Sequence, residues 1–333
     1  MYTVVTGAAG FVGANLVRAL NARGEREIIA VDRFDATDKF RNLVGCEFAD
    51  YLDADDFAAR LEDGDFDGDL SAMLHQGACS DTMERDGAFM MRNNYRYSAR
   101  LLQHCLNEDV PFLYASSAAV YGNGTTFVES REHEDPLNVY AYSKYAFDQL
   151  VRRTLADTGA SVAGFRYFNV YGPHEGHKGR MASVMWHFFH QLRGEGHVRL
   201  FEGTGGIANG EQRRDFVSVD DVVRVNLDFL DHPKRSGIFN VGSGRAETYN
   251  AVATSVVNAV RAADGKPAAS LDALVHDGAI RYVPFPPALV GKYQNYTQAD
   301  LGRLRASGCK VPATPLDEGV RRYVEWLMAR ERA

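Results

Sequence analysis

The stretch Tyr2–Asn15, YTVVTGAAGFVGAN, decides the fold. Its β-branched beginning, Tyr2–Thr6, predicts a buried strand, and the apolar periodicity after it predicts a helix that follows directly. Between them lie Gly7, Gly10 and Gly13, spaced G-x-x-G-x-x-G rather than G-x-G-x-x-G. Such a turn lets a pyrophosphate approach the backbone, and the helix N-terminus offers N–H groups to its charge. The stretch therefore predicts a dinucleotide-binding cradle.

Short apolar runs alternate with helical patterns through the first half of the chain. This alternation is typical of βαβ units and of a parallel sheet covered on both faces. The sequence therefore predicts an α/β fold, with a Rossmann-type doubly wound parallel sheet and a smaller C-terminal α/β substrate domain. The predicted strands are 2–6, 27–31, 70–75, 112–116, 161–165 and 238–241, and the predicted helices are 10–21, 57–61, 94–106, 140–158, 220–231, 249–263 and 316–330.

The regular alternation of predicted strands and helices ends after Gly172-Pro173, where glycine-rich and charged segments begin. We expect a dinucleotide-binding Rossmann domain over 1–172 and a mainly substrate-binding domain over 173–333. Some elements, within about 211–247, are expected to return to the sheet of the first domain.

The composition argues against several classes of function. The 333 residues carry a net charge of −7, whereas nucleic-acid binding needs a basic stripe. Apolar runs are short and interrupted by charge, which predicts no membrane span. Met1 leads directly into the first strand without a secretory leader, and the four cysteines are scattered. We therefore expect a cytoplasmic protein that binds neither nucleic acid nor membrane.

The end of the second predicted strand bears on the choice of dinucleotide. Asp32 lies roughly 20 residues after the cradle, where an acidic residue usually holds the ribose hydroxyls of NAD. Arg33 and Lys39 are cations that could pair instead with the 2′-phosphate of NADP. The cues conflict, and NADP is favoured over NAD.

A second motif lies in the middle of the chain. Tyr140 and Lys144 are four residues apart, so on a helix they share one face. A phenol has a pKa of about 10, and a neighbouring ammonium together with a cationic nicotinamide would lower it. The phenolate can then accept a hydroxyl proton while hydride leaves the same carbon. Ser117, directly after a predicted strand, can hydrogen-bond the same oxygen, so the set predicts a nicotinamide enzyme acting on a carbinol carbon.

Two histidine pairs invite a metal interpretation. They are His174-x-x-His177 and His187-x-x-His190, and neither has a clear third ligand. Zinc sites need at least three protein ligands, so we expect no metal.

These motifs resemble the extended short-chain dehydrogenase/reductase family, which includes nucleotide-sugar epimerases and dehydratases. The resemblance covers the whole chain and rests on the cradle, on Ser117, Tyr140 and Lys144, and on the run RYFNVYGP at 166–173. A narrower similarity, to the branch that epimerises ADP-activated heptoses, is carried by the stretches 77–80, 90–94, 112–119, 177–184, 213–217 and 296–301.

The resemblance implies a reaction. C6 of ADP-D-glycero-β-D-manno-heptose is oxidised with NADP to a transient ketone, which is reduced again on its other face. Tyr140 would serve one face of the carbon and Lys178 the other, since one fixed tyrosine cannot serve both poses equally well. The product is a precursor of the lipopolysaccharide inner core. The resemblance also suggests a homo-oligomer, with a pentamer as the expected form.

The resemblance further implies a set of site residues, carried over position by position. The catalytic residues are Tyr140, Lys178, Ser117 and Lys144. The cofactor contacts are Gly7, Gly10, Phe11, Val12, Gly13, Asp32, Arg33, Lys39, Gln76, Gly77, Ala78, Cys79, Ser80, Asn93, Lys144, Val170 and Lys178. The contacts to the nucleotide sugar, ADP-heptose, are Ser117, Asn169, Arg180, His187, Phe201, Glu202, Gly203, Thr204, Arg214 and Tyr293. Arginines suit its diphosphate because their planar fork binds oxyanions bidentately. Gln76 departs from the glutamate expected there, and Ala54 from the lysine of some members.

Two other functions remain open. One is another nucleotide-sugar transformation, such as a UDP-hexose 4-epimerase-like reaction with the same Ser/Tyr/Lys chemistry. A 4,6-dehydration is disfavoured, because Ala118-Ala119 follow Ser117 where the elimination of water normally needs a carboxylate pair. The other is a non-catalytic dinucleotide sensor, which predicts loss of the Ser/Tyr/Lys set, whereas all three residues are present.

Overall fold

The computed structural model describes residues 1–34, 38–286, 294–309 and 313–331. The chain divides into two compact units. The first comprises Met1–Tyr167, Asp220–Val241 and Asp300–Val311, and the second comprises Phe168–Val219, Gly242–Ala299 and Pro312–Ala333.

Long strands and helices alternate in the first half of the chain, and shorter elements follow. The strands are β1 (Tyr2–Thr6), β2 (Ile28–Asp32), β3 (Asp50–Asp53), β4 (Leu70–His75), β5 (Phe112–Ser117), β6 (Val162–Tyr167), β7 (Asn169–Tyr171), β8 (Val198–Phe201), β9 (Arg213–Arg214), β10 (Phe216–Ser218), β11 (Gly237–Val241), β12 (Glu247–Thr248) and β13 (Ile280–Val283). The α-helices are α1 (Phe11–Ala22), α2 (Ala54–Glu62), α3 (Gly87–Met90), α4 (Tyr97–Asn107), α5 (Val139–Asp157), α6 (Val184–Glu195), α7 (Val219–Leu230), α8 (Tyr249–Ala263), α9 (Leu271–His276), α10 (Gly302–Ala306) and α11 (Leu316–Glu331).

A parallel sheet of seven strands forms the centre of the first unit, as far as the described residues go. Its order is β11-β6-β5-β4-β1-β2-β3. The order reverses between β1 and β4, so the chain winds outward from there in both directions, as the sequence predicts for a doubly wound fold. Every residue of β2 and β11 is buried, which requires cover on both faces of the sheet. In such sheets ligands bind at the carboxyl ends of the strands beside the reversal, here the ends of β1 and β4.

Each unit has its own apolar core. In the first, Phe57 of α2 and Phe147 of α5 belong to one buried cluster with Phe112 of β5. In the second, the parallel pairs β7–β10 and β8–β13 and the antiparallel pair β9–β12 accompany α6, α8 and α11. Phe189 of α6 and Val324 of α11 are fully buried members of the second cluster.

The predicted elements are present, with shifted bounds and several omissions. Strands 2–6 and 70–75 and helix 249–263 have the predicted bounds. The predicted helix 94–106 instead begins at Gly87, because Asp86 caps α3 by accepting the Phe89 N–H, and a π-helical turn, Met91–Arg96, separates α3 from α4. The sequence patterns did not predict β3, α6, α9, α10 or any of the short strands of the second unit, which are β7, β8, β9, β10, β12 and β13. In the described ranges, no helix is both long and apolar enough to cross a membrane.

Candidate active site

The glycine turn between β1 and α1 has a backbone shape that excludes other side chains. Gly7 has a φ of +65°, and a Cβ there would lie 2.7 Å from the Cα of Gly77. A Cβ on Gly13 would lie 2.0 Å from the carbonyl oxygen of Gly7. Gly10, the N-cap residue of α1, has no side chain to cover the first-turn amides, which include those of Phe11 and Val12. The turn therefore forms a concave backbone surface at a helix N-terminus, which fits a pyrophosphate.

The carboxylate of Asp32, at the end of β2, is turned toward this cradle. Its Oδ2 accepts the Ala9 N–H at 2.8 Å, and its Oδ1 accepts the Arg33 N–H at 2.7 Å. Oδ1 also lies 3.0 Å from Lys39 Nζ. Asp32 thus holds the glycine turn in place, its charge is balanced by Lys39, and little acceptor capacity is left for ribose hydroxyls.

Arg33 brings further predicted cofactor residues together. Its guanidinium donates to the side-chain oxygen of Asn93 and to the carboxylate of Asp55. It also lies over the ring of Tyr97, with its central carbon 5.5 Å from the centroid. Together with Lys39, it places two cations beside the end of β2, the arrangement that a phosphate on the adenosine ribose would need.

The segment 76–80 follows β4, beside the point where the strand order reverses. The side chain of Asn94, which is fully buried in the π-helical turn, accepts the Cys79 N–H at 2.8 Å and donates to the Cys79 carbonyl at 2.9 Å. Asn94 also donates to Ser143 Oγ at 3.1 Å, and Ser143 Oγ donates to the carbonyl of Tyr140 at 2.7 Å. Sequence analysis gave Asn94 no role. The available signal was an asparagine in phase with the buried apolar positions of the helix that follows.

Gln76 opens this segment and is fully engaged within the first unit. The Tyr167 hydroxyl donates to Gln76 Oε1 at 3.0 Å, and Gln76 Nε2 donates to Asn226 Oδ1 at 3.2 Å. Asn226 Nδ2 closes the triangle by donating to the Tyr167 hydroxyl at 2.9 Å. A glutamate could not donate to Asn226, which explains a glutamine here.

Tyr140 and Lys144 lie on α5, one turn apart. Lys144 Nζ donates to the carbonyl of Ala115 at 2.9 Å. Burial lowers the pKa of Lys144 to about 8, and the charge of Asp148 acts in the opposite direction. Burial also raises the pKa of Tyr140, against a lowering effect of its side-chain hydrogen bond with Ser117.

One expectation about this set is wrong. Ser117 does not follow β5 but is its last residue, and its Oγ accepts the Ala119 N–H at 3.1 Å. Without the dinucleotide the pKa of Tyr140 is raised, and its lowering by the ammonium together with a bound nicotinamide stays a prediction. Lys144 donates to the end of β5, and loss of hydration outweighs what the phenolate gains from its hydrogen bond.

The second unit contains the other predicted site residues. Lys178 is partly buried in the 3₁₀ turn Gly176–Met181, where burial lowers its pKa and the charge of Glu175 acts in the opposite direction. Arg180, in the same turn, is exposed. His187 lies in the first turns of α6, with its ring 5.0 Å from that of Trp186.

The remaining substrate candidates are distributed over short strands of this unit. A Cβ on Gly203 would lie 1.9 Å from the carbonyl oxygen of Ile207, so the turn after β8 requires glycine. Tyr293 lies outside the described residues. The others are Asn169 and Val170 on β7, Phe201 at the end of β8, Glu202 and Thr204 beside Gly203, and Arg214 on β9.

The histidine pairs serve local contacts. His177 Nδ1 lies 3.1 Å from the carbonyl oxygen of His174, and the His190 ring lies 4.2 Å from that of Trp186. Across the part of the chain that the structure describes, no group of three His, Cys, Asp or Glu side chains could hold a metal ion.

Comparisons with known proteins agree with this geometry. The chain matches the sequence model of the family described as "NAD dependent epimerase/dehydratase family" over residues 3–242. It is 62% identical over 327 residues to the ADP-L-glycero-D-manno-heptose-6-epimerase of Thiobacillus denitrificans, a match that covers 98% of each chain.

Solved structures show the same relationship. The chain is similar to the ADP-L-glycero-D-manno-heptose-6-epimerase of Helicobacter pylori, with a TM-score of 0.81 and 28% identity over 98% of this chain and 96% of that one. It is also similar to the UDP-glucose 4-epimerase of Thermus thermophilus in complex with NAD, with a TM-score of 0.75 and 27% identity over 98% of both chains. With its glycine cradle and parallel sheet, the chain belongs to the NAD dependent epimerase/dehydratase family.

Proposed function

We propose that this protein epimerises ADP-D-glycero-β-D-manno-heptose at C6 to ADP-L-glycero-β-D-manno-heptose, a precursor of the lipopolysaccharide inner core. The observation that carries the proposal is the 62% identity, over 98% of both chains, to the Thiobacillus denitrificans protein with that activity in its name. The Ser117, Tyr140 and Lys144 set supports it, because a non-catalytic sensor would not need to retain those three groups.

The glycine turn would hold the pyrophosphate of the dinucleotide, and Asp32, Arg33 and Lys39 would surround its adenosine ribose. The segment 76–80 and Lys144 would line the nicotinamide half. When bound, the dinucleotide supplies acceptance and return of a hydride at C6.

Side chains of this protein would transfer the proton to and from the C6 oxygen. Tyr140 would take or give it on one face of the carbon, while Ser117 hydrogen-bonds the same oxygen. A hydride returned to the opposite face leaves the oxygen in a different position, so a second proton-transfer group is needed. Lys178 is proposed for that role, because its lowered pKa makes a neutral amine more accessible than on a free lysine.

NADP is the proposed dinucleotide. Asp32 is already engaged by Ala9, Arg33 and Lys39, and the two cations favour a phosphate over free hydroxyls. We expect NADP to bind at least about tenfold more tightly than NAD in calorimetric titration, a preference that Arg33→Ala should weaken and Lys234→Ala, exposed in the same unit, should leave unchanged. Equal affinities for the two dinucleotides would contradict the assignment.

The substrate is tested by proton NMR of the purified protein with ADP-D-glycero-β-D-manno-heptose. We expect the C6 epimer to accumulate, and UDP-glucose to remain unchanged in a parallel sample. Conversion of UDP-glucose alone would identify a hexose 4-epimerase instead.

The proposal also includes a cytoplasmic location and a homo-oligomer, with a pentamer as the expected form. Sedimentation velocity distinguishes that form from a monomer, which would contradict this part of the proposal.

A further inference from the structure

One buried carboxylate fastens both ends of the loop that carries Lys178. Glu175 is 0% exposed, and its Oε1 accepts the Gly172 N–H at 3.3 Å and the Ser183 hydroxyl at 2.7 Å. Its Oε2 accepts the Ser183 N–H at 2.5 Å. Gly172 begins the loop, and Ser183 ends it as the N-cap residue of α6. The Glu175 side chain therefore connects the two ends of the 172–183 loop by hydrogen bonds.

The backbone of this loop has a shape that needs such support. Three of its residues have positive φ: Gly172 at 142°, His174 at 74° and Gly179 at 53°. For a non-glycine residue such as His174, the left-handed region is unfavourable, so surrounding contacts must hold it there. The His174 ring packs on Trp326 of α11, with centroids 5.1 Å apart.

Glu175 also provides the charge that acts on Lys178. Partial burial lowers the pKa of Lys178, and the negative charge of Glu175 raises it. The Lys178 N–H donates to the backbone carbonyl of Glu175 at 2.9 Å, so the two residues are held as neighbours.

Other titratable side chains lie near this pair in the described part of the second unit, and they come from the loop and from α11. His174, His177 and the exposed Arg180 belong to the loop itself, and the uncharged Ser183, which caps α6, donates to the carboxylate. Tyr323 comes from α11, and its pKa is raised first by burial and then by the charge of Glu175. Glu175 is therefore the acidic group whose removal should change the field at Lys178.

We infer that Glu175 is a positioning residue of the reaction, which fixes the loop that presents Lys178 and supplies the negative charge that acts on its amine. The inference rests on the proposed role of Lys178, and it extends that role to a side chain with no exposed surface.

The first test compares E175Q with D277N, which removes the same charge at an exposed position of the same unit. Trace acetylation with acetic anhydride across a pH series, quantified for the Lys178 peptide by mass spectrometry, reports the ionisation of that amine. We expect its midpoint to move to lower pH in E175Q and to stay at the wild-type value in D277N. The limb of the epimerisation pH profile that belongs to Lys178 should move in the same direction. A folded E175Q with the wild-type labelling midpoint would overturn the inference.

E175Q could fail to fold, because one acceptor oxygen facing Ser183 becomes an amide. The second test therefore uses S183A, which removes one hydrogen bond to Glu175 and a helix cap. Its matched control is S270A, which removes only the cap of α9. Hydrogen exchange of the 172–183 amides should increase several-fold in S183A and remain unchanged in S270A. Unchanged exchange of this loop in S183A would show that Glu175 does not fasten it.

Failure of the proposed function gives a different result. If K178M retains epimerisation, Lys178 is not the second proton-transfer group. A labelling shift in E175Q would then show that Glu175 acts on the Lys178 amine, but Glu175 would have no role in the reaction.

Discussion

Tyr140 and Tyr142 lie two residues apart on α5, and their surroundings differ. Tyr140 is partly buried beside Ser117, whereas Tyr142 is 51% exposed. Removing the Tyr140 hydroxyl should abolish proton transfer on one face of C6, and such transfers contribute about 10²–10⁴-fold to rate. We expect Tyr140→Phe to lose turnover by that factor and to keep its unfolding temperature. Tyr142→Phe should behave as wild type, and near-normal turnover of Tyr140→Phe would remove Tyr140 from the proposed role.

Gly13 and Gly194 both lie in helices, but only Gly194 has room around it for a larger side chain. A Cβ on Gly13 would lie 2.0 Å from the Gly7 carbonyl oxygen, and a Cβ on Gly194 in α6 would meet no atom within 4 Å. We expect Gly13→Ala to push α1 away from β1, which should lower the unfolding temperature and weaken dinucleotide binding. Gly194→Ala should instead stabilise the protein by about 0.5–1 kcal/mol, because alanine is the better helix former. Thermal unfolding with and without NADP measures the stability and the dinucleotide binding of each variant. Unaltered NADP binding by Gly13→Ala would contradict the role of the glycine turn as the dinucleotide-binding cradle.

Three elements, β1, β4 and α4, meet at His75. Its Nδ1 lies 2.6 Å from Thr6 Oγ1 and its Nε2 lies 2.7 Å from Ser98 Oγ, so both of its hydrogen-bond partners are neutral. Burial first, and the positive charge of Lys144 second, lower the pKa of His75 from 6.5 to about 3. Between pH 6.5 and about 3, His75 is protonated in the unfolded chain and neutral in the folded protein. The contribution of His75 to the free energy of unfolding is therefore complete above pH 6.5 and is lost as the pH falls toward 3.

We expect the wild-type advantage over His75→Asn in free energy of unfolding to shrink by about 3 kcal/mol between pH 7.5 and 4.5. Urea unfolding at the two pH values measures it. His276→Asn, at an exposed site, should show no such change. An advantage of His75 that is independent of pH would contradict its burial as a neutral ring.

The elements that could be predicted are those with a pattern of their own. β1 (YTVVT) and β4 (LSAMLH) are short runs of mostly apolar or β-branched residues, and their bounds were predicted to the residue. β3 has the sequence DYLD and is a partly exposed edge strand, so no apolar run identifies it. The two-residue pair β9–β12 exists only because Arg214 meets Glu247, far apart in the chain, and such pairing depends on tertiary contacts.

The same distinction, between local sequence pattern and tertiary packing, applies to the residues of the candidate site. The glycine spacing and the Tyr140/Lys144 pair have a fixed local geometry, so the sequence identified them. Asn94 and Glu175 have no such local pattern, because what makes them notable is the full burial of a polar side chain, which follows from how the folded chain packs. The raised pKa of Tyr140 was unpredictable for the same reason, since loss of hydration follows from packing.

At the scale of the whole molecule, the proposed reaction removes a hydrogen from C6 and returns the same hydrogen to the other face of that carbon. A hydride held on a nicotinamide does not exchange with solvent, whereas a proton removed by a base does. The most direct measurement is epimerisation of ADP-D-glycero-β-D-manno-heptose in deuterated water, followed by proton NMR and mass spectrometry of the product. Epimerisation by hydride transfer should give the C6 epimer with hydrogen retained at C6, and deuterium at that carbon would contradict the proposed reaction.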